Sequence, residues 1–252
     1  MKYIITLLIT SLIWPVITYG QIEDREATDT VFSRESYTKK KSSFRKVKTR
    51  YGLVDLGVSA LYSPTTYRLD NGIDPFELRL LKSTNFNLHF VQQRVSLIDR
   101  QLNVVYGLTL ESHRYFFDNP VVLLEDTPEV TFDFRSGVNF KKNRLTYNYL
   151  TVPFMINFKS NPRYSYRSFH LSAGGFAGLL LGANFKTKVK GSKEKVRDNF
   201  ALNTFRYGIR TEIGYGPLIF YSTYTLNNLF DKDKDGGYEV SPFTIGLVIW
   251  PF

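Results

Sequence analysis

The chain has 252 residues, of which 43% are hydrophobic and 22% charged, and its formal net charge is +10 at pH 7. It contains no cysteine, which excludes a disulfide framework and thiolate metal sites. Aromatic residues reach 16%, yet the mean hydropathy is slightly negative and polar residues interrupt every apolar stretch after residue 20. This combination excludes a bundle of membrane helices and favours a β-barrel, in which only alternate residues face lipid.

Residues 1–20 have the features of a secretory signal peptide. An apolar core at residues 4–13 follows a basic residue, and the small residues Thr18 and Gly20 stand where a signal peptidase would read them. The alternative, a membrane anchor, is disfavoured because the apolar run is shorter than the ~20 residues that a spanning helix needs. We therefore expect an exported protein whose mature chain begins at Gln21.

Residues 21–50 form a polar leader. Its second half, residues 38–50, carries seven basic side chains and almost no apolar material. Such a segment cannot bury enough surface to order itself, so we predict a disordered periplasmic leader. Two interpretations stay open: a solvated leader, or a segment that binds the phosphates of lipid or polysaccharide, whereas nucleic acid is not an expected partner of an exported protein.

From residue 51 onward, apolar and polar residues alternate with the period of a β-strand in eight segments. In the third segment, for example, Leu108 and Leu110 share a face opposite Thr109 and Glu111. In the fifth, the alternation places Gly182 and Asn184 on the polar face. The eight predicted strands cover residues 53–62, 84–97, 102–116, 145–158, 169–185, 200–215, 218–226 and 240–252.

The connections between these segments alternate in length. Those after the second, fourth and sixth strands are short or moderate, and those after the first, third, fifth and seventh are long and polar. Short periplasmic turns and long external loops are the rule for outer-membrane barrels. The sequence therefore predicts an all-β fold over residues 51–252: an eight-stranded antiparallel transmembrane β-barrel of the up-and-down type, with both ends in the periplasm.

The polar faces of the predicted strands carry charges, namely Asp55, Glu111, Arg206, Arg210 and Glu212. A soluble lipocalin-like barrel or β-sandwich would leave several of these ions without partners, whereas a small membrane barrel can pair them in its lumen. Strand positions place Glu111 and Arg206 at similar heights, with Arg210 and Glu212 nearer the periplasm. Because an eight-stranded barrel is only wide enough for side chains, we predict a charge-paired, plugged lumen.

In the last segment, residues 240–252, small or polar residues alternate with apolar ones, and the segment ends on an aromatic residue. Its face with Val248, Trp250 and Phe252 is the predicted signal for the barrel-assembly machinery, which would read the free strand before it closes against the first one.

Four stretches carry a resemblance to a known family: residues 140–160, 168–188, 198–216 and 238–247, beginning FKKNRLTYNYL, SFHLSAGGF, DNFALNTFRYG and YEVSPFTIGL. They resemble the small outer-membrane β-barrel proteins of Bacteroidota, often labelled porin-like, which include relatives of the PorT component of gliding and type IX secretion. The resemblance covers most of the chain from residue 51. It implies an outer-membrane barrel in contact with outer-membrane lipid but carries no specific activity, and the basic leader departs from it.

Catalytic candidates are few. Of the three histidines, His89, His113 and His170, only His113 has a carboxylate, Glu111, on the same face of its strand, and ordinary lumen polarity is the favoured interpretation of that pair. Since no metalloprotease, serine hydrolase or P-loop motif occurs, we predict no enzyme activity and no cofactor.

The loop DKDKDGGYE imitates a calcium site. Asp231, Asp233 and Asp235 stand two apart before Gly236, but the position of the bidentate glutamate is occupied by Pro242. We therefore expect a solvated hairpin loop rather than a metal site.

These observations favour a structural, surface-exposed or binding element of the outer membrane. The alternatives are a PorT-like accessory of a secretion or gliding complex, and a narrow porin.

Overall fold

The computed structural model describes residues 47–98, 100–164 and 167–249. The predicted signal peptide and most of the predicted leader lie outside the described residues, as do Trp250 and Phe252. Among the residues described, no helix is long and apolar enough to cross a membrane.

Eight long antiparallel strands form a closed ring. Each pairs with its sequence neighbours among the eight, and the first and last close the ring with Val54 opposite Ile249 and Tyr62 opposite Ser241. The ring is completed in the order β1-β2-β3-β6-β7-β9-β10-β11, while β4 and β5 pair with each other and β8 extends β7. The strands are β1 (Val47–Tyr62), β2 (Thr84–Ile98), β3 (Leu102–Phe116), β4 (Val121–Leu123), β5 (Phe132–Phe134), β6 (Lys142–Lys159), β7 (Phe169–Val189), β8 (Ser192–Val196), β9 (Phe205–Tyr215), β10 (Leu218–Thr225) and β11 (Ser241–Ile249). The predicted eight-stranded up-and-down barrel is confirmed.

Alternate side chains divide between the two sides of the wall. In β3, Thr109 and Glu111 are buried inside, and in β6 the outward Phe154 is 60% exposed although it is fully apolar. Seven of the eight barrel strands carry exposed large apolar residues, and the outward apolar residues of β3 are partly exposed, so together they form an outer belt. Water would make such a belt a strong driver of association, whereas the hydrocarbon of a bilayer matches it.

Two strand starts differ from the prediction by five residues or more. β1 begins at Val47, inside the basic run, because Val47 to Arg50 pair with Val95 to Gln92 of β2. β9 begins at Phe205 rather than at residue 200, since Phe200 and Ala201 adopt positive φ angles of 49° and 52° that end an extended strand.

The predicted facing of β7 is wrong beyond residue 181. Tyr149 lies opposite Leu180 and Asn148 opposite Gly182, so β7 carries one extra residue at this point. A bulge of this kind moves every following side chain to the other face. Beyond it Ala183 and Phe185 are buried inside, in place of the predicted Gly182 and Asn184.

The terminal strand presents its odd-numbered residues to the outside. Ile245, Leu247 and Ile249 are exposed, whereas Val248 lies opposite Asp55 and Ile219 on the inward face. Val248, which belongs to the face predicted as the assembly signal, thus points into the barrel. The odd-numbered residues form the outward apolar face of this strand.

The long connections meet at one end of the barrel and build a hydrophobic cap. Their buried residues pack with inward side chains of the upper barrel, and isolated bridges join Leu78 to Phe117 and Leu202 to Phe230. The long loops were expected to be polar, but scattered apolar residues from different loops converge here. Buried members of this cap cluster are Phe117, Val121, Leu123, Val130, Phe200, Leu202, Leu229, Phe230 and Val240.

Two facing glycines make room for Tyr221 where the barrel closes. Gly57 of β1 lies opposite Gly246 of β11. A Cβ atom would stand 2.5 Å from the Tyr221 hydroxyl if built on Gly57, and 2.6 Å from the Tyr221 ring if built on Gly246. The ring cannot retreat freely, because its hydroxyl donates to Asn85 Oδ1 at 2.6 Å.

We therefore expect Gly57→Val to lower the free energy of unfolding by about 1–3 kcal/mol through overpacking. Urea unfolding of the barrel, with the shift in gel mobility on boiling as a readout of folding, measures this. Gly175→Ala is the control, since a Cβ atom there meets nothing nearer than 3.4 Å. Equal stability of Gly57→Val and the wild type would show that the pairing of β1 with β11 does not need the glycine.

Candidate functional site

The interior of the barrel holds a hydrogen-bonded network of ions. Its lower part centres on Asp55 of β1, which is fully buried. Its Oδ2 accepts hydrogen bonds from Arg210 at 2.8 Å, from His89 Nε2 at 2.8 Å and from Asn87 at 3.3 Å. These donors stand on β9 and β2, so one carboxylate joins adjacent and opposite walls of the barrel.

Arg210 extends this network toward the periplasmic end. Its Nε donates to Glu212 Oε1 at 2.9 Å, and Ser172 donates to the other oxygen of Glu212 at 3.1 Å. The guanidinium lies 4.6 Å from the centroid of the Tyr221 ring, a cation–π distance. Arg210 thereby has two carboxylates and an aromatic face around its single charge.

The upper part of the network pairs Glu111 with Arg206. Arg206 donates to Glu111 and also to His113 Nε2, at 2.7 Å, so this ring nitrogen is the acceptor. The Arg206 guanidinium lies 5.0 Å from the Tyr149 ring and 4.8 Å from the Phe176 ring. Charge pairing and stacking together replace the water that this arginine loses on burial.

The structure thus brings the five predicted lumen charges into two connected groups. Glu111 lies with Arg206, and Asp55 and Glu212 lie with Arg210. Sequence reasoning missed the neutral partners that complete the groups. They share inward positions on β2, β3 and β10, which the alternation in neighbouring strands could have marked: Asn85, Asn87, His89, Thr109 and Tyr221.

One trio in the lumen has the order of a hydrolytic triad. Asp55 binds His89 Nε2, and Thr109 Oγ1 lies 2.8 Å from His89 Nδ1. All three side chains are buried among paired strands, with exposures of 0%, 2% and 1%, so no substrate can reach the hydroxyl. The trio cross-links β1, β2 and β3. The predicted Glu111 and His113 pair, at 3.5 Å, is buried in the same way.

The aspartates of the loop DKDKDGGYE organise local turns. Asp235 accepts from the backbone N–H of Gly237 at 2.8 Å and from Asn228 at 3.3 Å, while Asp231 accepts weakly from the N–H of Asp233 at 3.4 Å. Within the described ranges, no three acidic or histidine side chains come together in a metal-binding group.

A cleft opens in the cap, between the β1–β2 loop and the β3–β6 connection. Its lining includes Arg79, Phe117, Asn139, Phe140 and Asn143. Asn143 is 4% exposed and donates to the carbonyls of residues 119 and 121, at 3.1 and 2.6 Å. Its Oδ1 has no hydrogen-bond donor among the described residues. A buried acceptor without a partner is costly, so the Asn143 side chain marks this cleft as a candidate binding position.

The sequence model of the family described as outer membrane protein beta-barrel domain matches residues 54–231. The chain belongs to this family. Members are outer-membrane β-barrels, which places the protein in the bacterial outer membrane. No curated protein matches the sequence.

One similar solved structure is that of Ail, the attachment invasion locus protein of Yersinia pestis, in complex with the heparin analogue sucrose octasulfate. The two chains are 17% identical over 79% of this chain and 97% of Ail, with a TM-score of 0.33.

In this outer-membrane barrel, the filled interior predicts that no diffusion pathway exists. Paired charges occupy the lower lumen, and the rings of Tyr115, Tyr147 and Tyr149, all buried, occupy the upper part. Planar-bilayer recordings of pure monomer should show no stable, large unit conductance, with an established porin in the same bilayers as the positive control. A reproducible large conductance from the monomer would contradict the filled lumen.

Proposed function

We propose that this outer-membrane barrel is a surface-exposed binding element, in which a filled barrel anchors a folded external cap and the cap cleft binds a ligand. The observation that carries the proposal is Asn143, which lines the cleft and whose buried Oδ1 has no hydrogen-bond donor among the described residues. A ligand that reaches this oxygen and donates a hydrogen bond to it would satisfy the acceptor.

The cap is ordered enough to hold a binding site. Tyr67, Phe76, Phe132 and Tyr238, from three different connections, pack edge to face with ring centroids 5.1–5.9 Å apart. Such pairs add about 0.5–1.5 kcal/mol each beyond simple burial. Because the loops are fixed before a ligand arrives, binding costs less conformational entropy than it would in mobile loops.

The chemistry of the cleft fits a saccharide. Asn139 and the ion pair of Arg79 with Asp118, 2.7 Å apart, supply exposed donors and acceptors, while the largely buried Phe117 and Phe140 form part of the lining. A sugar ring combines hydroxyl groups, which donate and accept, with apolar C–H faces. Sites with a few placed polar groups on an apolar lining are typical of small-ligand recognition.

A saccharide array probed with purified, detergent-folded protein tests the proposal. We expect Arg79→Gln to weaken binding of the selected saccharide by about 10-fold, the effect of one lost charge-assisted hydrogen bond. Arg135→Gln is the matched control, since Arg135 forms a similar exposed pair with Asp133, at 3.2 Å, outside the cleft. Absence of any saccharide ligand, or equal loss in both variants, would contradict the assignment.

A PorT-like accessory role in a secretion or gliding complex is the alternative proposal. Its support is the basic run of residues 38–50, whose end continues into β1 at the periplasmic end of the barrel. The two proposals differ in where a partner binds. Deletion of residues 24–46 would abolish recovery of a periplasmic partner under the accessory proposal and leave saccharide binding intact.

A further inference from the structure

Two rows of cations cross strands β6, β7 and β8 near the cap end of the barrel wall. In each row a lysine of β7 lies directly opposite one cation of β6 and one cation of β8. The first row consists of Lys142, Lys188 and Lys193, and the second of Arg144, Lys186 and Lys195. Residues directly opposite each other on antiparallel strands have their side chains on the same face. These six residues are called the cationic rim below.

The cationic rim faces away from the lumen. The alternate residues of β6 and β7, namely Asn143, Leu145, Phe185 and Thr187, are buried on the inward side, so the rim side chains project outward. The acidic residue of β8, Glu194, lies opposite Thr187 and therefore on the other face. On the outward positions of β3, β6, β7 and β8, all of which the structure describes, there is no aspartate or glutamate.

The charges of the cationic rim repel one another. Like charges directly opposite on neighbouring strands destabilise a sheet, and each β7 lysine of the rim has a like charge on both sides. Among the described residues, no rim cation forms an ion pair with a carboxylate. The Arg144 guanidinium lies 5.5 Å from the centroid of the Phe116 ring, and its buried Nε has no hydrogen-bond acceptor there. A ligand with several negative charges would relieve this repulsion.

The sequence of outward residues along β6 gives the height of the rim above the apolar belt. Every second residue from Phe158 to Leu150 is apolar, then two uncharged polar residues follow, and then Arg144. Six residues of strand rise roughly 20 Å, and a tilt of about 40° reduces the height above Leu150 to roughly 15 Å. Arg114 of β3, opposite Thr146, is an outward cation two positions nearer to the belt. Because long basic side chains reach along the wall, these cations stand at the level of lipid headgroups.

We propose that the cationic rim binds phosphate groups carried by lipids of the surrounding outer leaflet. The cap end lies on that side of the membrane, because the long loops of such barrels are external. Ammonium and guanidinium groups donate charge-assisted hydrogen bonds to phosphate oxygens. Neighbouring strands are about 4.8 Å apart and the two rows about 7 Å apart, so the rim suits a headgroup with more than one phosphate.

A membrane lipid fits the cationic rim better than a soluble anion does. The rim continues the lipid-facing side of the wall, beyond the apolar belt and the uncharged polar step. It shares no residue with the lining of the cap cleft. Lipid binding at the rim is therefore independent of saccharide binding in the cleft, and either can fail alone.

The test uses the mature protein folded in micelles of a neutral detergent. Lipid A with two phosphates, the same lipid after dephosphorylation, and soluble polyphosphate are titrated separately, and binding is followed by calorimetry. We expect saturable binding of the phosphorylated lipid and much weaker binding of the dephosphorylated one. Replacing Lys186 and Lys195 together by glutamine should weaken binding of the phosphorylated lipid by about 5-fold for each lysine removed.

A double variant with Lys232→Gln and Lys234→Gln is the matched control. It removes the same charge from two exposed lysines in the external β10–β11 connection, and it should bind the phosphorylated lipid as the wild type does. The rim variant should unfold at a temperature no lower than the wild type, because it removes repelled charges. If it does not fold, glutamine at Lys188 and Lys193 gives the same test in the other row.

The proposal is overturned if the phosphorylated and dephosphorylated lipids bind equally well. It is also overturned if the rim variant binds the phosphorylated lipid as tightly as the control variant does. Tighter binding of polyphosphate than of the phosphorylated lipid, lost in the rim variant, would identify a soluble polyanion as the partner and overturn the lipid assignment.

Discussion

The interior of an eight-stranded barrel is too narrow for bulk water, so the charges on its inward faces must satisfy one another. Asp55 shows how this constraint is met. It is fully buried, and its carboxylate receives hydrogen bonds from Arg210 across the lumen and from His89 on the neighbouring strand. Each bond crosses between strands, so the network fixes the walls relative to one another as the hydrophobic core does in a soluble protein.

Contacts in the upper lumen connect this network to the cap. The Arg206 guanidinium lies against the Tyr149 ring, and the Tyr149 hydroxyl donates to the carbonyl of Asn203 at 2.5 Å. Asn203 stands in the loop before β9, whose neighbour Leu202 bridges to Phe230 in the next loop. Charged layers below and aromatic layers above therefore form one continuous packed column. A cap supported in this way presents a fixed surface, which is the property that the proposed binding function requires.

The barrel was predictable because lipid on one side and a polar lumen on the other impose an alternation of period two on each strand. The same alternation placed Asp55, Glu111 and Arg206 inside, since charges cannot face hydrocarbon. The alternation gave the wrong facing beyond Leu181 of β7. One extra residue there reverses which side chains point inward, and local composition gives no sign of such a residue. The start of β1 at Val47 was missed because a basic run suggests disorder, whereas pairing with β2 extends the strand.

The cap and its cleft were not predictable for a different reason. Phe76, Phe132 and Tyr238 are separated by long polar stretches, and only the closure of the barrel brings them together. Likewise, the role of Tyr221 depends on two glycines on other strands. Contacts between residues far apart in sequence carry no periodic signal, so the sequence indicated that loops exist but not that they pack.

A double-mutant cycle on Asp55 and Arg210 tests most directly whether paired charges hold the lumen together. Asp55→Asn and Arg210→Met should each lower the free energy of unfolding in lipid vesicles by about 3–5 kcal/mol, because each leaves a buried charge without its main partner. The double variant should lose less than the sum of the two, with a coupling of about 1–3 kcal/mol. Additive losses, with no coupling, would contradict the account.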